Sequence, residues 1–196
     1  MVKKLVEYIK ENYDLNNELI EASIKGDVDK VKEYLDRGAD IEAKDNQYGW
    51  TPLICACIYN HTEVVSLLIN SGAKIDATDP DGYTPLIWAC SGDENKMDIV
   101  KILLENDADL NAESKSGITP LSKSTLNNHI DIAELLIHNG ADINKKTNTK
   151  NTFLMVASSE NNTGMVELLL SHGSDIHAYN IWNKSCLDNY CEGIWE

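Results

Sequence analysis

The sequence has no uninterrupted apolar run of about 18 residues, the length that a membrane-spanning helix requires. Charges interrupt its first seven residues too early for a secretory signal peptide. Basic residues are scarce: 17 Lys and Arg stand against 32 Asp and Glu, and Arg37 is the only arginine. The formal net charge of -15 therefore argues against a nucleic-acid backbone as the partner.

What the sequence does contain is a motif that repeats at a nearly constant interval. Thr51-Pro52-Leu53-Ile54 recurs as Thr84-Pro85-Leu86-Ile87, as Thr119-Pro120-Leu121-Ser122 and, in a weaker form, as Thr152-Phe153-Leu154-Met155. The start-to-start spacings are 33, 35 and 33 residues. A period of this size is typical of a stacked repeat array rather than of a single globular core.

Each repeat is predicted to contain two helices. Thr caps a helix N-terminus through its hydroxyl, and Pro suits the first helical turn because its missing N–H costs nothing there. Nine residues after the Thr, an Asn that tolerates the left-handed conformation ends the first helix in three repeats; these are Asn60, Asn128 and Asn161. An apolar run with i, i+1, i+3 and i+4 spacing then predicts a second helix. Gly72, Gly140 and Gly173 suit its C-cap, and Asp107 stands in that place in one repeat.

These units resemble the ankyrin repeat, whose pattern is roughly Gly-x-Thr-Pro-Leu-His-x-Ala-Ala, then Gly-His-x-Glu-Val-Val-x-Leu-Leu-Leu and Gly-Ala-Asp-x-Asn. Asn60-His61-Thr62-Glu63-Val64-Val65 and Asn139-Gly140-Ala141-Asp142-Ile143-Asn144 carry the match, which covers residues 17–181. The resemblance implies a mostly α fold, an ankyrin-repeat solenoid of helix-turn-helix units joined by short β-hairpin-like fingers. No repeat keeps the His after Leu, which puts one hydrogen bond within the turn in doubt; the residues in its place are Ile20, Ile54, Ile87, Ser122 and Met155.

We expect one elongated domain over residues 1–196. Its predicted parts are an N-terminal helix at 1–16, repeats at 17–47, 48–80, 81–115, 116–149 and 150–181, and a C-terminal half-repeat cap at 182–196 with Leu187, Ile194 and Trp195 covering the last repeat. The third repeat carries two extra residues between its helices, within 91–96, and the first finger carries one. Such insertions often lie on the binding side of a repeat array, although drift in an exposed turn explains them equally well.

Catalytic and metal sites are not predicted. The five histidines are scattered, and no Ser, Cys or carboxylate is spaced to form a nucleophile–base pair. Cys57 and Cys90 share one register in neighbouring repeats, where helices about 8–10 Å apart place them too far apart for a disulfide. They are interpreted as small buried apolar residues, and the odd total of five cysteines favours a reducing, cytoplasmic location, or a host-cell cytoplasm if the source is a pathogen or virus. No cofactor is expected.

In the ankyrin family the concave face is made of fingertips and first helices. Reading the variable places of that face onto this sequence gives a candidate partner site formed by Tyr48, Trp50, Ile58, Tyr59, Asp81, Tyr83, Trp88, Ile118, Lys123, Leu126 and Asn127. The place four residues after the motif Thr holds Glu21, Cys55, Trp88, Lys123 and Val156. Because a buried place would not accept Glu and Lys, this place is expected to be exposed. The aromatic residues among the candidates are then expected to cluster, unless some pack between fingers as structural residues.

The resemblance therefore implies a non-catalytic protein-protein interaction module, monomeric, whose partner is another protein. From Asp76 to Glu113 there are ten acidic residues and two lysines, so this segment has a net charge of -8 and suits a partner with an apolar ridge and a basic rim. Two alternatives stay open. In the first, the chain is the ankyrin portion of a larger enzyme or effector whose activity lies outside this chain. In the second, the chain is the substrate of an asparagine hydroxylase that acts at Asn111 or Asn144. The structural explanation of these two asparagines is that they stabilise their finger turns.

An elongated particle is the expected result of small-angle X-ray scattering, because the 33-residue period stacks repeats along one direction. A maximum dimension equal to that of a compact sphere of the same mass would contradict this prediction.

Overall fold

The computed structural model describes residues 15–147 and 149–188, and within them it consists of pairs of helices separated by turns. The first helices of the pairs are α1 at residues 15–25, α3 at Pro52–Ile58, α5 at Pro85–Ala89, α7 at Pro120–Leu126 and α9 at Phe153–Ser159. The second helices are α2 at Val28–Asp36, α4 at Thr62–Asn70, α6 at Met97–Glu105, α8 at Ile130–His138 and α10 at Thr163–Ser171. A further helical segment begins at residues 186–188. The predicted repeat of two helices is confirmed.

The chain divides into two compact units. Among the described residues, the first unit contains those up to Ala89 together with Asp98–Asp109, and the second contains Cys90–Met97 together with those from Leu110 onwards. In the first unit α3 packs against α4 and α5, and α2 packs against α4. In the second unit α7 packs against α8 and α9, and α10 packs against the same two helices.

Fully buried apolar side chains fill the space between the helices. They include Leu53, Leu68 and Leu86 in the first unit, and Leu121, Ile132, Leu136 and Phe153 in the second. Burying one such side chain contributes about 1.5–3 kcal/mol to stability. The apolar runs of the sequence thus form the faces that hold each unit together.

The first helices begin as the motif predicts. Thr51 and Thr152 cap α3 and α9, and the hydroxyl oxygen of each accepts the backbone N–H three residues later at 3.3 Å. At α7 the cap is reciprocal: Thr119 accepts from the backbone of Ser122, and the Ser122 hydroxyl accepts the Thr119 N–H at 2.8 Å. Ser122, one of the residues that replace the expected His, therefore restores a hydrogen bond within the turn.

The helices also end as predicted. Asn60, Asn128 and Asn161 have φ of 61°, 56° and 54°, so a left-handed residue follows each of α3, α7 and α9. Asp107 has the same sign of φ, at 63°, in the place that glycine takes elsewhere. The three first helices that end at these asparagines are seven residues long, whereas the second helices have nine residues.

Two predicted features differ in the structure. Residues 15–25 form one helix, so the expected division after residue 16 falls inside it, and Asn17 does not begin a helix as the motif Thr does. Within the described residues the fingers are turns with a single isolated bridge, between Lys146 and Thr152, rather than β-hairpins. The predicted helix at residues 2–13 and the capping residues Ile194 and Trp195 lie outside the described residues.

The finger turns share one geometry in which a residue with positive φ stands three places after the residue that opens the turn. Gly82 and Gly117 take this place with φ of 83° and 74°, and Asn183 takes it with φ of 57°. The first finger has one extra residue, and Gly49 takes the place at φ 68°. In the fourth finger the residue is Lys150 at φ 58°, a conformation that is strained for lysine.

We predict that Lys150→Gly raises the free energy of unfolding by about 1 kcal/mol, because it removes left-handed strain that costs an L-residue about 1–2 kcal/mol, less glycine's extra entropy in the unfolded chain. The reciprocal change, Gly117→Lys, should lower it by a similar amount. Urea denaturation followed by circular dichroism measures both. The two changes in unfolding free energy need not be equal in size. A Lys150→Gly variant that is less stable than the parent would contradict the explanation by left-handed strain.

Candidate functional site

The first candidate residues, Tyr48 and Trp50, lie on the finger that precedes α3, and the side chain of Asp45 fixes their backbone. One carboxylate oxygen of Asp45 accepts the N–H groups of Gln47 at 2.7 Å and Tyr48 at 2.6 Å. The other oxygen accepts the N–H of Trp50 at 3.0 Å. A single carboxylate thus satisfies three backbone donors of this turn.

Asp79 does the same for the next finger and adds a bond to an aromatic side chain. Its Oδ1 accepts the N–H groups of Asp81 and Tyr83, each at 2.9 Å, and its Oδ2 accepts the indole N–H of Trp88 on α5 at 3.0 Å. Asp79 is only 6% exposed. This carboxylate therefore fixes both the finger and the orientation of the Trp88 ring.

The four aromatic side chains that these two fingers and α5 carry form a continuous row of rings, which we call the aromatic strip: Tyr48, Trp50, Trp88 and Tyr83. Tyr48 and Trp50 stack with centroids 4.4 Å apart, Trp50 meets Trp88 edge to face at 5.5 Å, and Tyr83 lies 5.1 Å from Trp88. Rings at these distances touch one another, so they leave no space between them for a caged cation. The aromatic strip is therefore available to a ligand only through its outer surface.

Exposure varies along the aromatic strip. Tyr48 is 50% exposed, whereas Trp50, Tyr83 and Trp88 are partly buried. Of the other candidates in this unit, Tyr59 is 46% exposed at the end of α3, Asp81 is exposed and Ile58 is partly buried. These three lie outside the row of ring contacts.

Cys55 corrects the expectation that the place four after the motif Thr is exposed throughout. Glu21 is exposed, and Trp88, Lys123 and Val156 are partly exposed, but Cys55 is completely buried. It packs with Ile20 and Ala43, and Ile24 and Trp50 pack against this cluster. Burial raises the pKa of the Cys55 thiol to about 12, with a smaller contribution from Asp45, so the group is a neutral core residue.

The remaining candidates belong to the second unit. Leu126 is 46% exposed at the end of α7, while Ile118 and Lys123 are partly buried. Asn127 donates its side-chain N–H to the carbonyl of Cys90 at 3.3 Å, so part of its side chain has a structural role. The sequence analysis predicted one surface for the candidates at residues 48–88 and those at residues 118–127. In the structure the former belong to the first unit and the latter to the second.

The extra residues of the third repeat form a loop in the second unit whose ends are fixed. Lys96 is buried and donates to the carbonyl of Ser91 at 3.1 Å, and the ring Nε2 of His129 lies 2.8 Å from the carbonyl of Gly92. Asn95 donates to the carboxylate of Asp131 at 3.0 Å. Asp93 and Glu94 remain exposed at the tip.

The hydroxylation candidates have a structural role. The side-chain oxygen of Asn111 accepts the backbone N–H of Asp142, and that of Asn144 accepts the backbone N–H of Asp175, each at 3.0 Å. The sequence interpretation assigned them to their own turns, but these bonds join one finger to the next. Glu42 and Asp76 make the same bond by accepting the N–H groups of Lys74 and Asp109. Asn16 accepts the N–H of Asp40 in a similar way, but from helix α1.

Four described cysteines are buried and form no disulfide within the described part of the chain; they are Cys55, Cys57, Cys90 and Cys186. Among the described residues no group of three or more His, Cys, Asp or Glu side chains could hold a metal ion. No helix in the described part of the chain is long and apolar enough to cross a membrane. The ring of His61 lies 2.8 Å from the carbonyl of Ile24, and this contact matches that of His129 with the carbonyl of Gly92, two repeats further along the chain.

Sequence reasoning missed a second group of exposed apolar residues, at the last finger and beyond. Tyr179, Ile181 and Trp182 are more than half exposed, and Leu187 is 61% exposed, although it was expected to cover the last repeat. Leu187 nevertheless lines a groove together with Leu154, Val166, Leu170 and Ile176. The sequence could have indicated the exposure of Trp182, because this residue occupies the same fingertip position as the candidate Asp81.

Paired helices of constant period joined by these finger turns define an all-α repeat protein. A family model for ankyrin repeats (three copies) matches residues 19–114 and 94–180. The chain belongs to the ankyrin-repeat family. Repeats of this family are generally protein-interaction modules.

Individual relatives match shorter stretches. The 2-5A-dependent ribonuclease of Mus musculus is 39% identical over 74 residues, which is 38% of this chain and 10% of that protein. Protein phosphatase 1 regulatory subunit 27 of Homo sapiens is 42% identical over 67 residues, or 34% of this chain and 43% of that protein. Ankyrin repeat domain-containing protein 40 of Homo sapiens is 34% identical over 76 residues, which is 39% of this chain and 21% of that protein. The matched stretch is less than half the length of each of these relatives.

We predict that Asp79→Asn lowers the free energy of unfolding by about 1–3 kcal/mol. The amide can still accept the two finger N–H groups, but its NH2 then faces the indole N–H of Trp88, and a donor is left without its partner. Asp81→Asn, at an exposed neighbour, should change stability little. Urea denaturation and tryptophan emission measure both effects, and equal stability of the two variants would show that the Asp79–Trp88 bond contributes nothing.

Proposed function

We propose that this chain is a non-catalytic protein-interaction module whose partner binds the aromatic strip of the first unit. The observation that carries the proposal is the fixed position of Trp88, held by Asp79 and flanked by Trp50 and Tyr83. Aromatic side chains are enriched in protein interfaces, and a few of them usually supply most of the binding energy. Rings that are already fixed lose little entropy on binding, which favours affinity.

The proposed partner is a protein with an apolar ridge and a basic rim. The acidic segment that includes Asp81 favours basic groups beside the strip, and exposed acids accelerate the encounter with such a partner. Tyr59 and Ile58 extend the proposed surface along α3, and Ile118, Lys123, Leu126 and Asn127 are proposed as secondary contacts. The buried thiols agree with a reducing, cytoplasmic location, which is part of the same proposal.

A second candidate function is that of an ankyrin portion within a larger enzyme or effector. The matches to the ribonuclease and to the phosphatase regulatory subunit favour it, since they cover 10% and 43% of those proteins. The reading frame in the native genome distinguishes the two: a frame that continues past Glu196 into a catalytic domain supports the second candidate.

For the proposed interaction, the partner is first captured from the native proteome, and binding kinetics are then measured. Tyr83→Ala and Trp88→Ala should each raise the dissociation rate, with a loss of about 2 kcal/mol or more in binding free energy if these rings are central. Asp81→Asn should mainly lower the association rate at low salt. That effect should fade at physiological ionic strength, where the Debye length is about 8 Å.

Trp182→Ala is the matched control, because it removes an exposed tryptophan from a finger of the second unit. It should leave binding unchanged, whereas a nonspecific aromatic effect would weaken binding in this variant too. Circular dichroism verifies that every variant is folded. If folded Tyr83→Ala and Trp88→Ala bind like the parent, the aromatic strip is not the site.

A further inference from the structure

Two histidines that are scattered in the sequence lie side by side in the second unit. His138 is the last residue of α8, and His172 directly follows α10, one repeat period further along the chain. Their ring centroids are 5.3 Å apart, and the ring planes are inclined by 75°. Both side chains are exposed, so the pair is accessible from solvent.

Hydrogen bonds fix which nitrogen of each ring carries the proton. The Nδ1 of His138 lies 2.8 Å from the carbonyl oxygen of Glu134, and the Nδ1 of His172 lies 2.9 Å from that of Leu168. A carbonyl oxygen can only accept, so each Nδ1 is the donor and carries the hydrogen. Ser171 lies 3.1 Å from the Nδ1 of His172 and donates its own hydroxyl to the carbonyl of Leu168.

The Nε2 of each neutral ring consequently keeps its lone pair for a ligand. Imidazoles that bind metals typically donate their other ring N–H to a carbonyl or carboxylate, which fixes both the tautomer and the ring orientation. A tetrahedral metal ion with metal–nitrogen distances of about 2.0–2.1 Å places two imidazole centres about 5 Å apart. The observed centroid distance of 5.3 Å matches this requirement.

We propose that His138 and His172 form a two-histidine site for a divalent transition metal of the Zn²⁺, Ni²⁺ and Cu²⁺ group, which imidazole nitrogen favours. The ion joins the C-terminal ends of α8 and α10. Because no third His, Cys, Asp or Glu completes a metal-binding group among the described residues, water fills the remaining positions. The site therefore reinforces a folded unit and is not a closed structural zinc site on which folding depends.

Zinc titration of the full chain by isothermal calorimetry tests the proposal. The parent should bind one Zn²⁺. His138→Gln and His172→Gln should each weaken binding by at least the ~10-fold that the loss of an outer-shell partner typically costs, since each removes one of the two ligand nitrogens. His177→Gln is the matched control, because it removes another exposed histidine of the same unit. It should leave zinc binding unchanged.

Nuclear magnetic resonance of the parent protein gives a measurement that does not depend on how the variants fold. Long-range nitrogen–proton spectra should show both rings protonated at Nδ1 without metal, and zinc should shift the Nε2 signals of these two histidines. Zinc binding that persists in the double variant His138→Gln with His172→Gln, or zinc that leaves both Nε2 signals unmoved, would overturn the proposal. So would a parent that binds no zinc at millimolar concentration.

Discussion

The structure depends on a hydrogen bond in which one short polar side chain receives the backbone N–H groups of each finger turn. Among the described residues the fingers contain one isolated bridge and no strand ladder, so a side chain has to satisfy these donors. A donor that is buried without a partner costs about 1–3 kcal/mol, and the donors of the Asp79 turn are partly buried. Asp45 and Asp79 supply the acceptor in the first unit, and Ser114, Thr147 and Asn180 supply it in the second. The finger keeps its shape because of this acceptor, and the side chains that it presents keep their positions for the same reason.

A second set of side-chain acceptors fixes the register between successive fingers. Glu42 and Asp76 accept a backbone N–H from the following finger in the first unit, and Asn111 and Asn144 do so in the second. In a repeat protein each repeat contacts only its neighbours, so such a bond must be made anew at every junction. The residue type varies among Asn, Asp and Glu because the bond requires only an oxygen acceptor. The asparagines are therefore sufficiently explained by structure.

The helices could be predicted from the sequence because their stops and starts are local. A Thr cap and a left-handed Asn act on their own turn and need no knowledge of distant residues. Exposure could not be predicted in the same way. Cys55 shares its register with Lys123, yet it is buried because Trp50 packs against its cluster. The roles of Asp79 and of the pair His138 and His172 depend on which side chains meet across helices and turns, and periodicity alone leaves that choice open.

The acidic character of the chain, which the composition presents as one property, separates into two kinds of carboxylate. Asp45 and Asp79 are engaged with the backbone or with an indole and hold the aromatic strip in place. Asp81 is exposed, and its charge acts at a distance through solvent. The first kind determines how well the rings are positioned, and salt should affect it little because the bonds span only 2.6–3.0 Å, far less than the Debye length. The second kind changes the rate of encounter with a basic partner and weakens as ionic strength rises. The partners of Asp45 and Asp79 are neutral N–H groups, so these carboxylates keep their charge and still add to the attraction for a basic partner. What distinguishes them from Asp81 is that they also hold the rings in position.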